Sequence, residues 1–371
     1  MGFHIVKRDN CPVWKRCLFY AVAIAAALTL GGILLLAIDV NPFEYYYQMF
    51  TMGIIENYYP ENIYMNYLKM FVPLALTATA LSLAFKMRFW NIGGEGQFIM
   101  GALAAAIVAF KLGPDAGNGI TLIVMCLAAM LASGAYGLIA AILKVKFGTN
   151  ETLMTLMMNY IALYLLYFIA DTKAGWNFFL DPESNRPKFA SFSEFAAFPT
   201  IKIGEAFELN ITVILTLVVG ALIFVYLRYT KQGYEIGVIG DSEGTAKYAG
   251  MKTRKIILRT VFLSAALIGL AAAFKVGTAG ILSKDDLTNS VGWTGIIVAW
   301  LAQLNTVMIF VVSALICVLQ FGSVQANAEF GQVDSSFANM LQGVILFLIL
   351  AAEFFIRFRI ARSRKADSNN G

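Results

Sequence analysis

Apolar runs of membrane-spanning length recur along this chain and constrain its fold more than any motif does. They lie near Cys17–Ile38, Leu68–Phe85, Gln97–Phe110, Ile120–Leu143, Leu153–Ala170, Ile211–Leu227, Ile256–Phe274, Trp293–Leu304, Thr306–Phe321 and Phe337–Phe355. A helix needs about 20 such residues to cross a hydrocarbon core of ~30 Å. Inside that core only helices and closed barrels satisfy every backbone group. The reading is an all-α polytopic membrane protein of about ten transmembrane helices. The eighth run is short, as a broken or tilted helix would be. Charged residues make up 14% of the chain, against roughly a quarter in a soluble domain.

Basic residues orient the spans. Lys7, Arg8, Lys15 and Arg16 precede the first, and Lys86 and Arg88 follow the second. Lys144 and Lys146 follow the fourth, a basic cluster fills 228–259, and Arg357–Lys365 follows the last. Lys111, Lys173, Arg186, Lys188, Lys202, Lys275 and Lys284 fall on the other side. The excess on alternate loops places both termini in the cytoplasm. The domain reading follows: a basic cytoplasmic tail at 1–16, a transmembrane domain at 17–356, and a cytoplasmic C-terminal tail at 357–371. The first run reads as a span rather than a cleavable signal. Five spans then run outward and five inward, as two inverted halves would. The internal repeat is weak: Leu76–Met87 and Leu263–Val276 share an alanine-rich pattern containing Ala-Phe-Lys.

Several chemistries are excluded. The chain has one histidine, His4, in the N-terminal tail, and four cysteines without zinc-like or disulfide-framework spacing. No Gly-x-x-x-x-Gly-Lys-Ser/Thr loop occurs, so ATP is not hydrolysed here by that route. No Ser/His/Asp or Cys/His set is available. Consecutive spans lack the deep acid pair that a proton relay needs. These exclusions argue against an enzyme and against an ion-coupled secondary transporter. A core of amides and hydroxyls suits a neutral polar solute moved by energy from outside the chain. A receptor or structural membrane protein would carry no solute at all.

The polar inserts are the informative places. Asn91-Ile-Gly-Gly-Glu-Gly-Gln97 puts three glycines, a carboxylate and two amides between apolar runs. Asn91, Glu95 and Gln97 cannot face lipid unpaired. The stretch lies at a membrane surface as a loop, or lines a wet cavity. In Gly148-Thr-Asn-Glu-Thr152, Thr149 or Asn150 can cap the next helix, and Glu151 favours its positive end. Asn159, within a span, needs a partner or a cavity. The segment 171–209 is too long for a simple connector and reads as an external cap or docking surface. Asp39–Tyr67 is rich in tyrosine and reads as an interfacial aromatic belt. Within 228–259, Gly240–Gly250 reads as one short helix, capped by Asp241 or Ser242 and stopped by Gly250. Such a helix lies on the bilayer or fits a partner's cleft.

Four motifs in order carry a resemblance: Phe89-Trp-Asn-Ile-Gly-Gly-Glu-Gly-Gln97; Gly148-Thr-Asn-Glu151 with Met158-Asn-Tyr160; Ala246-Lys-Tyr-Ala-Gly-Met251; and Gly295-Ile-Ile-Val-Ala299. Across about residues 68–345 the chain resembles the ABC-transporter permeases of branched-chain amino acid, ribose and nucleoside importers. The likeness is closest to the nucleoside and simple-sugar branch, with Trp90 standing where Phe is expected. The resemblance implies an importer in a bacterial cytoplasmic membrane. It implies a cytoplasmic ATPase subunit, a second homologous permease (as heterodimer or homodimer) and an extracytoplasmic binding lipoprotein, with no nucleic acid. ATP and Mg would be used by the ATPase, with no cofactor in this chain. Asn91, Glu95, Gln97, Asn150, Glu151 and Asn159 would line or brace the substrate pathway. Gly240, Ala246, Lys247, Tyr248, Ala249 and Gly250 would couple to the ATPase. Nucleosides are the expected solute, with simple sugars or branched-chain amino acids as alternatives.

Overall fold

The computed structural model describes residues 3–7, 12–54, 63–113, 117–203, 207–284, 286–331, 333 and 336–362. The expected turn at Gly113-Pro114-Asp115, Cys11, and the ends of the two tails lie in whole or in part outside them. Thirteen helices of the described residues position everything below. They are α1 Val13–Ala37, α2 Pro42–Ile54, α3 Ile63–Lys86, α4 Gly94–Lys111, α5 Asn118–Phe147, α6 Glu151–Asp171 and α7 Ile211–Tyr229. There follow α8 Lys231–Asp241, α9 Glu243–Tyr248, α10 Thr253–Ala279, α11 Val291–Leu301, α12 Thr306–Glu329 and α13 Ser336–Arg357.

Among the described residues, eight helices are long and apolar enough to cross a membrane: parts or all of α1, α3, α5, α6, α7, α10, α12 and α13. The two remaining expected spans fall on α4, with 18 residues, and on α11, with 11. At 1.5 Å per residue α11 reaches only about 16 Å, half of a bilayer core. Outward faces are apolar. On α5, Ile120, Ile123, Leu127 and Leu131 are exposed at helical spacing, and lipid is the solvent that accommodates such a stripe.

The chain forms two compact units, residues 1–60 with 316–371, and residues 61–315. In the first unit, β1 (Phe3–Lys7) pairs antiparallel with β4 (Phe358–Arg362), Phe3 opposite Arg362 and Lys7 opposite Phe358. The two described ends of the chain therefore meet, and 358–362 forms a strand at the start of the C-terminal segment. The tyrosine-rich stretch after α1 contains α2, and its aromatics are not all interfacial. Tyr45 is fully buried, shares a 2.7 Å hydrogen bond with Ser323 and meets the Phe337 ring edge-on at 5.3 Å.

The second unit is built around α10. This helix and α3 are the most buried of the spans, and they carry the two alanine-rich segments. Small side chains let backbones approach and let hydroxyls cross between helices. Ser264 on α10 donates to the Ala80 carbonyl of α3 at 2.7 Å. Ser133 on α5 donates to the Ala265 carbonyl of α10 at 2.6 Å. A Cβ on Gly101 of α4 would stand 2.7 Å from the Gly269 Cα of α10, and a Cβ on Gly269 would run into the Ala129 carbonyl of α5. At one end of this unit the long segment after α6 folds into a cap whose buried side chains join the core of the helices. Phe179, Leu180 and Phe189 are buried, and Phe192 meets Phe110 at 4.9 Å. The hairpin β2 (Thr200–Ile203) and β3 (Phe207–Asn210) completes it, and Lys284 pairs with Asp171 at 2.7 Å.

Gly269→Leu is expected to lower the melting temperature of the detergent-solubilised protein, since overpacking costs about 1–3 kcal/mol or more where backbone must move. Gly237→Ala, where a Cβ meets nothing within 4 Å, should leave it unchanged or raised.

Candidate functional site

The stretch Asn91–Gln97 is not a surface loop: Asn91, Glu95 and Gln97 are all buried. It runs beside α11 and then starts α4. The Trp90 ring stacks on Trp300 at 5.3 Å, near the C-terminal end of α11. Five residues later, Glu95 reaches the N-terminal end of the same helix. The Gly292 N–H donates to Glu95 Oε2 at 2.8 Å, and Thr288 and the Trp293 N–H also hydrogen-bond this carboxylate. The first amides of a helix have no partners within it, and aligned peptide dipoles leave its start positive. Glu95 answers both needs of α11, and it does so from the first turn of α4, whose own start is positive too. Two helix N-termini therefore meet at one carboxylate.

Glycine makes the meeting possible. A Cβ on Gly292 would collide with the Glu95 backbone, and one on Gly94 would stand 3.5 Å from the Gly292 Cα. Just before α11, Asn289 and Ser290 have φ of 45° and 55°. Just after it, Gln303 and Leu304 have φ of 50° and 57°. A side chain in this left-handed region costs roughly 1–2 kcal/mol, so both ends of α11 are held in a strained backbone.

The amides form a second, adjoining knot. Asn91 and Gln97 are buried and exchange two hydrogen bonds, Nδ2 to Oε1 at 3.1 Å and Nε2 to Oδ1 at 3.0 Å. The Gly93 N–H adds a third bond to Asn91 Oδ1 at 3.1 Å. Asn159 on α6 receives the Gly96 N–H at 2.8 Å and donates to the Ile92 carbonyl at 2.9 Å. Thr155, one turn earlier, receives the Ile92 N–H at 3.1 Å. Gly137 on α5 leaves room for the Gln97 amide, 3.2 Å from where its Cβ would be.

Asn150 and Glu151 do different work. Asn150 is exposed and caps α6, receiving the Thr152 and Leu153 N–H groups at 3.0 and 3.2 Å. Glu151 binds Lys144 at 2.6 Å across the α5–α6 turn, where Gly148 takes φ 66°. Of the six residues, Asn91, Glu95, Gln97 and Asn159 are brought together and Asn150 and Glu151 hold the turn below. Thr155, Thr288 and Gly292 belong to the site and were missed. The only sequence signal for them was glycine at 292 and 295 in a short apolar run.

The expected single helix over Gly240–Gly250 is instead two. Gly240 belongs to α8, pressed on the Lys86 carbonyl at the end of α3. Ser242 has extended backbone and breaks the chain, and its Oγ receives the Thr245 N–H at 3.2 Å to cap α9. Gly250, at φ 74°, stops α9, with the Met251 N–H bonded to the Ala246 carbonyl at 3.0 Å. Ala246 faces inward, fully buried among Met87, Phe89, Ile236 and Ile256. Tyr248 is 98% exposed, beside the Lys247–Glu243 ion pair of 2.8 Å and exposed Ala249 and Gly250.

A family described as branched-chain amino acid transport system / permease component matches residues 63–350. The chain belongs to this family of ABC-transporter permease subunits, which are multi-pass membrane proteins and not themselves enzymes. Among its relatives is the guanosine ABC transporter permease protein of Bacillus subtilis, 27% identical over 94% of this chain and 97% of the relative. The glucose ABC transporter permease protein of Haloferax volcanii is 27% identical over 95% of this chain and 92% of its own length. The nucleoside ABC transporter permease protein of Lactococcus lactis is 24% identical over 94% of both.

Asn159→Leu removes the partners of the Gly96 N–H and the Ile92 carbonyl, and each buried group left unpaired costs about 1–3 kcal/mol. A clear drop in melting temperature is expected. Glu95→Ala should be less stable than Glu95→Gln, which keeps an acceptor for the Gly292 N–H.

Proposed function

We propose that this chain is the membrane-spanning subunit of an ABC importer for a neutral polar solute, nucleosides first. The observation that carries this reading is the saturated polar centre. The Glu95 carboxylate is matched to two helix N-termini, and the amides of Asn91, Gln97 and Asn159 are matched to protein. A centre with no spare charge favours an uncharged solute over a zwitterionic amino acid. Relatives named for guanosine and nucleosides support the same choice, and the one named for glucose makes a simple sugar the second reading. In this account the four residues brace the pathway rather than contact the solute, and Asn150 and Glu151 brace the turn beneath.

A separate ATPase, using ATP and Mg, drives transport. It engages α9 through the exposed face of Thr245, Lys247, Tyr248, Ala249 and Gly250, while Ala246 anchors the helix from within and Gly240 seats α8. A second permease completes the pore and a binding lipoprotein delivers the solute. The chain sits in a bacterial cytoplasmic membrane with both termini inside, as the basic loops and the β1–β4 pairing favour. Residues 1–16 and 357–371 flank a membrane domain at 17–356. Within it, α3 and α10 are corresponding core helices of two inverted halves.

Purification from native membranes in mild detergent, with mass spectrometry of what remains bound, tests this directly. An ATPase, a second permease and a lipoprotein loaded with nucleoside are the expected result. Isolation of the folded chain alone, or a lipoprotein loaded with amino acid, would contradict it. Tyr248→Ala should lower uptake and solute-stimulated ATP hydrolysis with no change in melting temperature. Ala246→Leu should lower the melting temperature, because that side chain has no room.

A further inference from the structure

The end of the second unit near Trp300 holds a cleft lined by none of the four residues of the polar centre. It is an open cleft of about 390 Å³ where the ends of α3 and α7 meet the turn between α11 and α12. Its lining is polar and cationic: Lys86, Arg228, Gln303, Asn305 and Thr306, with Phe224 at the side. Lys86 is the last residue of α3 and half-buried. Arg228 lies in the last turn of α7, its guanidinium set over Phe224 at 5.8 Å and Tyr229 at 5.9 Å. Among the described residues, neither cation has a carboxylate within ion-pair distance. Asn305 caps the start of α12, receiving the Val307 and Met308 N–H groups at 3.0 and 3.4 Å. The positive end of α12 therefore adds to the field of the two cations, which offset the negative C-terminal ends of α3, α7 and α11 that also border the cleft.

The two helices α7 and α12 that border the cleft also carry exposed apolar side chains. Helices α7 and α12 lie against one another where Phe310 fills the space at Gly220. Beyond the cleft both helices expose apolar side chains: Leu222 and Val225 on α7, Val307 and Val311 on α12. Two unpaired cations at the mouth of an apolar strip match one amphiphile, with a phosphate at one end and acyl chains at the other. We infer that this cleft binds an anionic phospholipid, its phosphate on Lys86 and Arg228 and its chains along α7 and α12. The site requires only that the chain spans a membrane, and it stands whichever solute is carried.

The transporter, with the subunits that co-purify, is placed in nanodiscs of equal phosphatidylglycerol and phosphatidylcholine, then partly delipidated. Lipid retained is counted by mass spectrometry. Preferential retention of phosphatidylglycerol is expected. Each cation removed should weaken the preference about fivefold, from the typical worth of a basic residue at an anionic surface. Lys86→Gln with Arg228→Gln should abolish it, and Lys86→Arg with Arg228→Lys should keep it, both at unchanged melting temperature. Undiminished preference in the neutral variant would overturn the site. Loss in the charge-preserving variant would overturn it too, by showing that packing rather than charge is responsible. Displacement of the lipid by millimolar inorganic phosphate would replace it with a free-anion pocket.

Discussion

A carboxylate shared by two helix starts is the interaction on which the centre of this protein depends. Inside a membrane an ionised acid without partners is costly, and so are the unpaired amides at the start of a helix. Glu95 lets each offset the other. Its oxygens accept from the first turn of α11 while it stands in the first turn of α4. The short helix α11 can therefore begin directly against the first turn of α4. An 11-residue helix with a strained turn at either end is otherwise a poor element for that setting.

The surroundings are arranged to keep this meeting in place. Helices α3 and α10 supply a rigid wall of small residues, with interhelical hydroxyl bonds at Ser264 and Ser133. The paired amides Asn91 and Gln97 fix the chain that leads into α4. Asn159 and Thr155 hold that chain to α6. Because the Glu95 carboxylate and the amides of Asn91, Gln97 and Asn159 are all hydrogen-bonded to protein, this centre leaves no bare charge for a solute to meet. At the far side, α8 and α9 rest on the end of α3, through Gly240 and through Ala246 against Met87 and Phe89.

The long helices were legible in the sequence because a membrane imposes one simple rule, continuous apolar length, and α1, α3, α5, α6 and α7 obey it. The half-length of α11 showed only as a short run. The importance of the polar insert was legible too, since so many polar groups cannot be idle there. What they bond to was not, because Gly292 lies 197 positions from Glu95 and a glycine does not advertise what it lies against. Asn150 followed local capping chemistry, which sequence reveals well. The break at Ser242 was hidden because a serine can cap a helix without ending the one before it. The cap at 171–209 has a core of scattered phenylalanines with no period, so its hairpin could not be read from spacing.

One measurement bears most directly on the carboxylate joint. Solid-state NMR on the membrane-embedded protein, with carbon-13 at the Glu95 side-chain carboxyl and nitrogen-15 at Gly292, reports their dipolar coupling. A strong coupling is predicted, that of a carboxylate receiving the Gly292 N–H at 2.8 Å. It should vanish when the carboxyl carbon is removed in Glu95→Ala. Absence of coupling in the unaltered protein would mean that α11 begins without Glu95, and the account of how the two helices meet would fall.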